Sequence, residues 1–225
     1  MKLLRSFVPV LVVIAFAGCA TPPQTKLNPV ETAALAVLAS DAGLKEKARA
    51  CQELGDFGGP ASVPALAALL KDETLSDYAR SGLEGIKDPA AGAALRQALP
   101  SLNGRLLAGA VNSLGVRREV AAVADLQKLV LDGNRGVAPE ALASLGLIAN
   151  RDAVSALKKV LADGPAELRA PAAHASLAAA DSLAKSGEVA AARDLLDSVV
   201  RALPSGHLQS VAQQQAAGLG AAAAR

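Results

Sequence analysis

Hydrophobic residues recur along this chain at intervals close to 30 residues. One column is a leucine that glycine follows in several copies, and a second leucine lies twelve positions later. The first column is Leu54, Leu83, Leu114, Leu145 and Leu177, and the second is Leu66, Leu95, Leu126 and Leu157. Further residues, mostly apolar, lie three before and four after the second leucine, which is the spacing of one helix face. Such a period is typical of a stacked array of helical repeats.

Turn residues divide the chain at matching places. Asp88 precedes Pro89 as an N-cap would precede a proline in the first turn, and the segment from Thr74 to Asp77 resembles a capping box. Each unit is therefore predicted to be a first helix ending near the Leu-Gly step, a short turn and a second helix. The predicted units are 44–73, 74–101, 102–133, 134–164 and 165–204, with a half unit at 205–225 and a capping helix at 29–40.

The fifth unit departs from this pattern. Its first helix is expected to continue past Leu177 to Gly187, and its second helix to run from Glu188 to about Leu203. The segment 183–195 resembles the helix-turn-helix of one tetratricopeptide unit. The half unit that follows either forms a polar cap through its glutamines at 213–215, or marks the chain as a shortened relative of a longer array.

Composition agrees with an all-α protein. Apolar residues make up 52% of the chain, which has three Phe, one Tyr and no Trp. Small residues and strong helix formers favour closely approaching helices over sheets. Residues 30–225 are thus predicted to form one all-α solenoid of about five antiparallel helical hairpins.

Charge is balanced, with 23 basic and 21 acidic residues. A chain without Lys2 and Arg5 would be neutral, so no general attraction to nucleic acid or an anionic membrane is expected. The shortage of aromatic residues also removes a stacking surface for single-stranded bases. Nucleic acid is therefore not an expected partner.

The N-terminal segment has the layout of an export signal. A basic start is followed by an apolar stretch that is too short for a permanent membrane span and ends in Phe16-Ala17-Gly18-Cys19. Residues 1–18 resemble a bacterial lipoprotein signal peptide, with Phe16 where that class prefers Leu. The resemblance implies cleavage before Cys19 and its modification with palmitate-type acyl chains. The alternative is an ordinary signal peptide that is cut near Ala17 or Ala20.

Residues 19–29 are predicted to be a flexible tether, because prolines and polar residues favour an extended, solvated chain. Two or three acyl chains at Cys19 would anchor the protein stably. By the same resemblance, Ala20 is not the aspartate that retains many lipoproteins in the inner membrane. The expected location is the cell envelope, at an outer membrane and facing the periplasm.

Two segments carry a resemblance to a known repeat. Residues 54–66 and 145–157 resemble the short HEAT-like repeat first described in phycobilin lyases, with the approximate motif Ala-Leu-Gly-x-Ile-Gly-Asp-x-x-Ala-Val-x-x-Leu. The resemblance extends over about 44–164 and implies an α-solenoid. It says little about function, because such arrays serve many roles.

Residues suited to catalysis are few. His174 and His207 are the only histidines, and neither has a His or Cys partner at ligand spacing. No P-loop, Gly-x-Ser-x-Gly or Cys-x-x-Cys motif occurs. We therefore expect no enzyme activity, catalytic residues, metal site or cofactor, and interpret both histidines as packing or surface residues.

Cys51 lies three residues before Leu54, in a column that Val111 and Leu142 also occupy. This position predicts a buried core thiol. The alternative is a free thiol for pairing between molecules.

Basic residues follow the second-column leucines in three consecutive units. They are Arg96, Lys128, Lys158 and Lys159. Stacked second helices would bring them into a short basic column that could receive an acidic peptide, an anionic polymer or an acidic helix of a partner. The simpler interpretation is a solvated helix face. Arg117 and Arg118, in a turn, are weaker candidates.

These observations favour a lipid-anchored, non-catalytic scaffold that binds another envelope protein through its helical-repeat surface. One alternative is a lyase-like or chaperone-like accessory factor that holds a cofactor or a client protein. Another is a purely structural part of a larger envelope assembly. The pattern leaves the partner and the oligomeric state open.

Overall fold

The computed structural model describes residues 28–132 and 136–223, which form α-helices and short 3-10 turns without a strand. The helices are α1 (Pro29–Ala39), α2 (Leu44–Phe57), α3 (Val63–Ala68), α4 (Ser76–Gly85), α5 (Pro89–Ala98), α6 (Gly104–Val116), α7 (Val123–Leu131), α8 (Ala138–Ile148), α9 (Arg151–Asp163), α10 (Ala166–Lys185), α11 (Val189–Ala202) and α12 (His207–Ala223). The all-α prediction is confirmed.

The helices stack in two layers. The first helices of the units, α2, α4, α6, α8 and α10, each pack against the next one in the series. In the second layer α3 packs against α5, and α9 packs against both α7 and α11. Each second helix also packs against the first helix of the following unit, as α7 does against α8. This order of contacts is that of a solenoid, in which each unit is stabilised by its sequence neighbours.

The leucine columns form the core between the layers. The side chains of Leu54, Leu83, Leu114 and Leu145, and those of Leu66, Leu95, Leu126 and Leu157, are completely buried. The fifth unit differs by one residue, because Ser176 is completely buried and Leu177 only partly. Ser176 donates to the carbonyl oxygen of Ala172 at 2.7 Å, which satisfies its buried hydroxyl. The predicted register of this unit is therefore wrong by one position.

Small residues let neighbouring first helices approach closely. A Cβ atom added to Gly146 of α8 would lie 2.6 Å from the carbonyl oxygen of Ala175 in α10. One added to Gly115 of α6 would lie 2.8 Å from the Cα of Ser144 in α8. The Ser144 hydroxyl donates to the carbonyl oxygen of Val111 at 2.9 Å across the same contact. The glycine of the Leu-Gly step is thus where one helix touches the backbone of the next.

One of the two N-caps predicted from the sequence is present. Asp88 accepts a hydrogen bond from the backbone N–H of Ala90 at 2.8 Å, as an N-cap should. The capping box at Thr74 is not formed, because α4 begins only at Ser76. Instead, the Asp72 carboxylate accepts bonds from the Thr74 hydroxyl and from the N–H groups of Thr74 and Leu75. These bonds lower the pKa of Asp72 below its usual value.

Helix α1 closes the N-terminal end of the array, as predicted. It packs against α2, and its Glu31 side chain is buried. The Glu31 carboxylate accepts hydrogen bonds from the Gly59 N–H at 2.8 Å and the Ser62 hydroxyl at 2.6 Å, in the turn of the first hairpin. Asn28 donates to the Phe57 carbonyl oxygen at 2.7 Å. The cap therefore satisfies backbone groups that the turn would otherwise leave unpaired.

The fifth hairpin is longer than the others, also as predicted. Helix α10 has 20 residues, compared with 11 in α8. It ends just before Gly187, which has a φ of +87° that glycine adopts without strain. The last helix, α12, packs against α11 and α10 and exposes its glutamines at 213–215. No helix among the described residues is long and apolar enough to cross a membrane.

We predict that Gly146→Ala will lower the free energy of unfolding by about 1–2 kcal/mol. Overpacking costs roughly 1–3 kcal/mol, and we expect the upper part of that range because the added Cβ meets backbone atoms. This cost outweighs the gain of up to about 1 kcal/mol in helix propensity. Gly218→Ala is the matched control, because a Cβ at this position in α12 meets nothing within 4 Å. It should stabilise the protein slightly. Urea unfolding followed by circular dichroism will measure both, and equal effects would contradict the close-approach model.

Candidate functional site

The four residues of the predicted basic column lie on three second helices. Arg96 is on α5, Lys128 on α7, and Lys158 and Lys159 are on α9. Lys128 and Lys159 are exposed, whereas Arg96 and Lys158 are partly buried. Stacking therefore places all four in one layer, but in different environments.

Two of the four cations bind carboxylates of a neighbouring unit. Arg96 Nε lies 2.8 Å from an Asp125 oxygen on α7, and Lys158 Nζ lies 2.6 Å from an Asp194 oxygen on α11. Partly exposed pairs of this kind contribute at most about 1 kcal/mol each. They hold adjacent second helices in register. Lys128 and Lys159 make no ion pair with any residue that the structure describes.

Lys158 and Lys159 line different cavities. Lys159 lies at a groove of about 620 Å³ beside the turn between α9 and α10, together with Asp163 and Glu167. Lys158 lies at a smaller pocket of about 350 Å³ between α9, α10 and α11. The smaller pocket is lined by Lys158, Leu161, Ala162, Arg169, Ser198, Arg201 and Ala202. We call it the basic pocket.

The basic pocket contains two arginines that sequence reasoning missed. Arg201 donates to the Ser198 hydroxyl at 3.1 Å, and this hydroxyl donates to the Asp194 carbonyl oxygen at 2.8 Å. The Nε atom of Arg169 is buried and has no hydrogen-bond partner among the described residues. Neither arginine falls in an aligned column of the repeat. Only the packing of α10 and α11 against α9 brings them beside Lys158.

A polar network also joins α4 to α6. Asp77 lies 2.8 Å from an Arg80 nitrogen and 3.0 Å from an Arg105 nitrogen, and Arg80 donates to the Ser113 hydroxyl at 3.1 Å. The Ser113 hydroxyl in turn donates to Glu84 at 2.6 Å. The hydrogen bond from Arg80 is the main cause of a lowered Asp77 pKa. Every charged group named here has a partner, so this network holds units two and three together.

Arg117 has a structural contact that sequence analysis did not foresee. Its guanidinium donates to the carbonyl oxygens of Leu83, Glu84 and Ile86 at the end of α4, and to that of Asp88 beyond it. Helix ends leave such carbonyls unpaired, so one side chain completes the C-terminus of the preceding first helix. Arg118 is exposed and has a φ of +51°.

The remaining candidates from the sequence lie where their patterns indicated. His174 on α10 and His207 at the start of α12 are exposed. Cys51 is completely buried, and this burial raises its pKa from 9.0 to about 11. The core prediction for Cys51 is thus confirmed. The described residues hold no group of three or more His, Cys, Asp or Glu side chains placed to bind a metal ion.

Cys19, the signal peptide at 1–18 and most of the tether lie outside the described residues, so lipidation stays a prediction. No protein-family model matches the chain, and a search of curated proteins found no significant match.

We predict that Arg117→Gln will lower the free energy of unfolding by about 1.5–3 kcal/mol, the usual contribution of hydrogen bonds to a charged group. Arg118→Gln removes the same charge from the adjacent position and should change stability by no more than about 0.5 kcal/mol. Urea denaturation of both variants will test this. If the two changes are equal, Arg117 does not stabilise the end of α4.

Cys51 gives a prediction for alkaline pH. Its folded-state pKa of about 11 lies above the unfolded value near 9, so the thiol's contribution to stability is complete below pH 9 and is lost as the pH rises through 11. Relative to Cys51→Ala, the wild type should lose about 2 kcal/mol between pH 8 and pH 11. Parallel pH profiles of the two proteins would contradict the assignment of a protected thiol.

Proposed function

We propose that this protein is a non-catalytic scaffold, anchored in the cell envelope by a lipid on Cys19, that binds another envelope protein through its second-helix layer. The observation that carries the proposal is that two residues of the basic column are paired within the protein and two are not. Arg96 and Lys158 bind carboxylates of neighbouring helices, while Lys128 and Lys159 are exposed and make no ion pair within the described residues. The layer is thus held in register and still offers unpaired positive charge.

A stacked array suits this role because its surface is already formed before a partner arrives. Ion pairs between α5 and α7 and between α9 and α11 fix the second helices relative to each other. Binding to a preorganised surface avoids much of the entropy cost of ordering side chains and loops. Exposed lysines on such a surface mainly attract and orient an acidic partner.

The tether would set where the scaffold works. Helix α1 starts at Pro29, immediately after the polar segment that follows Cys19. Eleven extended residues span at most about 40 Å. An acylated Cys19 would therefore hold the N-terminal end of the array within that distance of the membrane surface, at an outer membrane facing the periplasm.

We expect Lys128→Glu/Lys159→Glu to abolish capture of the partner, because two attractive charges become repulsive. The measurement is crosslinking in intact cells, followed by purification of the tagged protein and mass spectrometry. Lys45→Glu/Lys87→Glu is the matched control, since both lysines are exposed, unpaired within the described residues and outside the second-helix layer. The Cys19→Ser form tests the tether and should lose the same partner.

Full capture by the Lys128→Glu/Lys159→Glu variant would rule out this surface as the binding site. A wild-type protein that captures no envelope protein would contradict the scaffold function itself. If that protein instead carries a bound pigment or other small molecule, the accessory-factor alternative gains support.

A further inference from the structure

We infer that the basic pocket between α9, α10 and α11 binds a carboxylate of an acidic segment on the partner protein. This inference rests on the proposed scaffold function and names the chemistry of one contact. The pocket lies at the junction of the last regular unit and the extended fifth unit. Its position next to Lys158 makes it continuous with the second-helix layer.

The charges at the pocket are not balanced by the protein. Lys158, Arg169 and Arg201 line it, and no carboxylate does. Lys158 is paired with Asp194, whose carboxylate oxygen lies 2.6 Å from Lys158 Nζ. Arg201 donates only to the Ser198 hydroxyl, and Arg169 has no ion pair or side-chain hydrogen bond among the described residues. Arg169 and Arg201 are therefore without a carboxylate partner among the described residues and are available to an anionic ligand.

Arg169 differs from the other partly buried arginines of this chain. Arg80 and Arg117 also have a buried Nε without a partner, but their terminal nitrogens donate to carbonyl, hydroxyl or carboxylate oxygens. Arg169 makes none of these bonds to the residues that the structure describes. It also lies in the first turn of α10, where the helix dipole disfavours a positive charge. An anion in the pocket would provide the missing acceptor and relieve this repulsion.

The walls of the pocket favour a carboxylate over a phosphate. Leu161 and Ala162 belong to the last turn of α9, and Arg201 and Ala202 to the last turn of α11. These two ends carry partial negative charge, and only α10 presents its N-terminal turn, through Arg169. Phosphate sites, in contrast, are usually built at helix N-termini. A singly charged carboxylate is repelled less than a phosphate, and it fits the two-pronged donor geometry of arginine.

The experiment measures binding of a fluorescein-labelled octaglutamate peptide to the full-length protein in mild detergent by fluorescence anisotropy. Arg169→Gln/Arg201→Gln should raise the Kd about tenfold or more, because charge-assisted bonds to the carboxylate are lost. Lys45→Gln/Lys87→Gln removes the same charge elsewhere and should change the Kd less than twofold. Glutarate should displace the peptide at lower concentration than inorganic phosphate.

Arg169→Lys tests the same contact if the double variant fails to fold. This substitution keeps the charge and loses only the planar donor geometry. A folded Arg169→Lys protein, checked by circular dichroism, should bind the peptide more weakly than the wild type. Equal weakening in the Lys45→Gln/Lys87→Gln control, or a wild type that does not bind the peptide, would overturn the inference. Stronger displacement by phosphate would overturn the carboxylate assignment.

The cellular capture assay separates this inference from the proposed function. If Arg169→Gln/Arg201→Gln still captures the envelope partner as well as the wild type does, the pocket is not the contact and the scaffold function stands. If the wild type binds the peptide through the pocket but captures no envelope protein, the pocket is supported and the scaffold function is contradicted.

Discussion

The close approach of successive first helices is the constraint on which the rest of this structure depends. The helix backbones touch at two glycines, Gly115 against Ser144 and Gly146 against Ala175. Neither contact leaves room for a larger side chain. A layer built in this way needs small residues at one position in every unit and a leucine directly beside it to fill the core. The same requirement explains a core rich in Ala and Leu with few aromatic residues.

Polar side chains then join neighbouring elements of the array, in several cases where a helix ends. Glu31 bonds to the turn of the first hairpin, Arg117 completes the end of α4, and Arg96 bridges two second helices. Each of these side chains reaches an adjacent element of the array. Stability in such an array is approximately a sum of unit terms and nearest-neighbour terms, so every bridge strengthens one interface only. Charged residues that look like binding candidates in the sequence can therefore be structural.

The sequence predicted the repeat well and the lining of the basic pocket poorly, for one physical reason. Column positions such as Leu54 and Leu66 follow from local periodicity, which any window of one unit displays. The partner of Lys158 is Asp194, which belongs to the next unit and whose position depends on the longer α10. A one-residue register change in that helix placed Ser176 where Leu177 was expected. Predicting contacts between units requires knowing how the helices pack, which periodicity alone does not specify.

The basic pocket lies where the last regular unit meets the irregular fifth unit. Helices α4 and α8 have 10 and 11 residues, whereas α10 has 20 and is followed by the 14-residue α11. Arg169 near the start of this hairpin and Arg201 near its end lie beside Lys158, although neither arginine belongs to a repeating column. Regular units are constrained by their need to stack identically. A departure from the repeat is therefore where such an array can place a specific binding chemistry without disturbing its core.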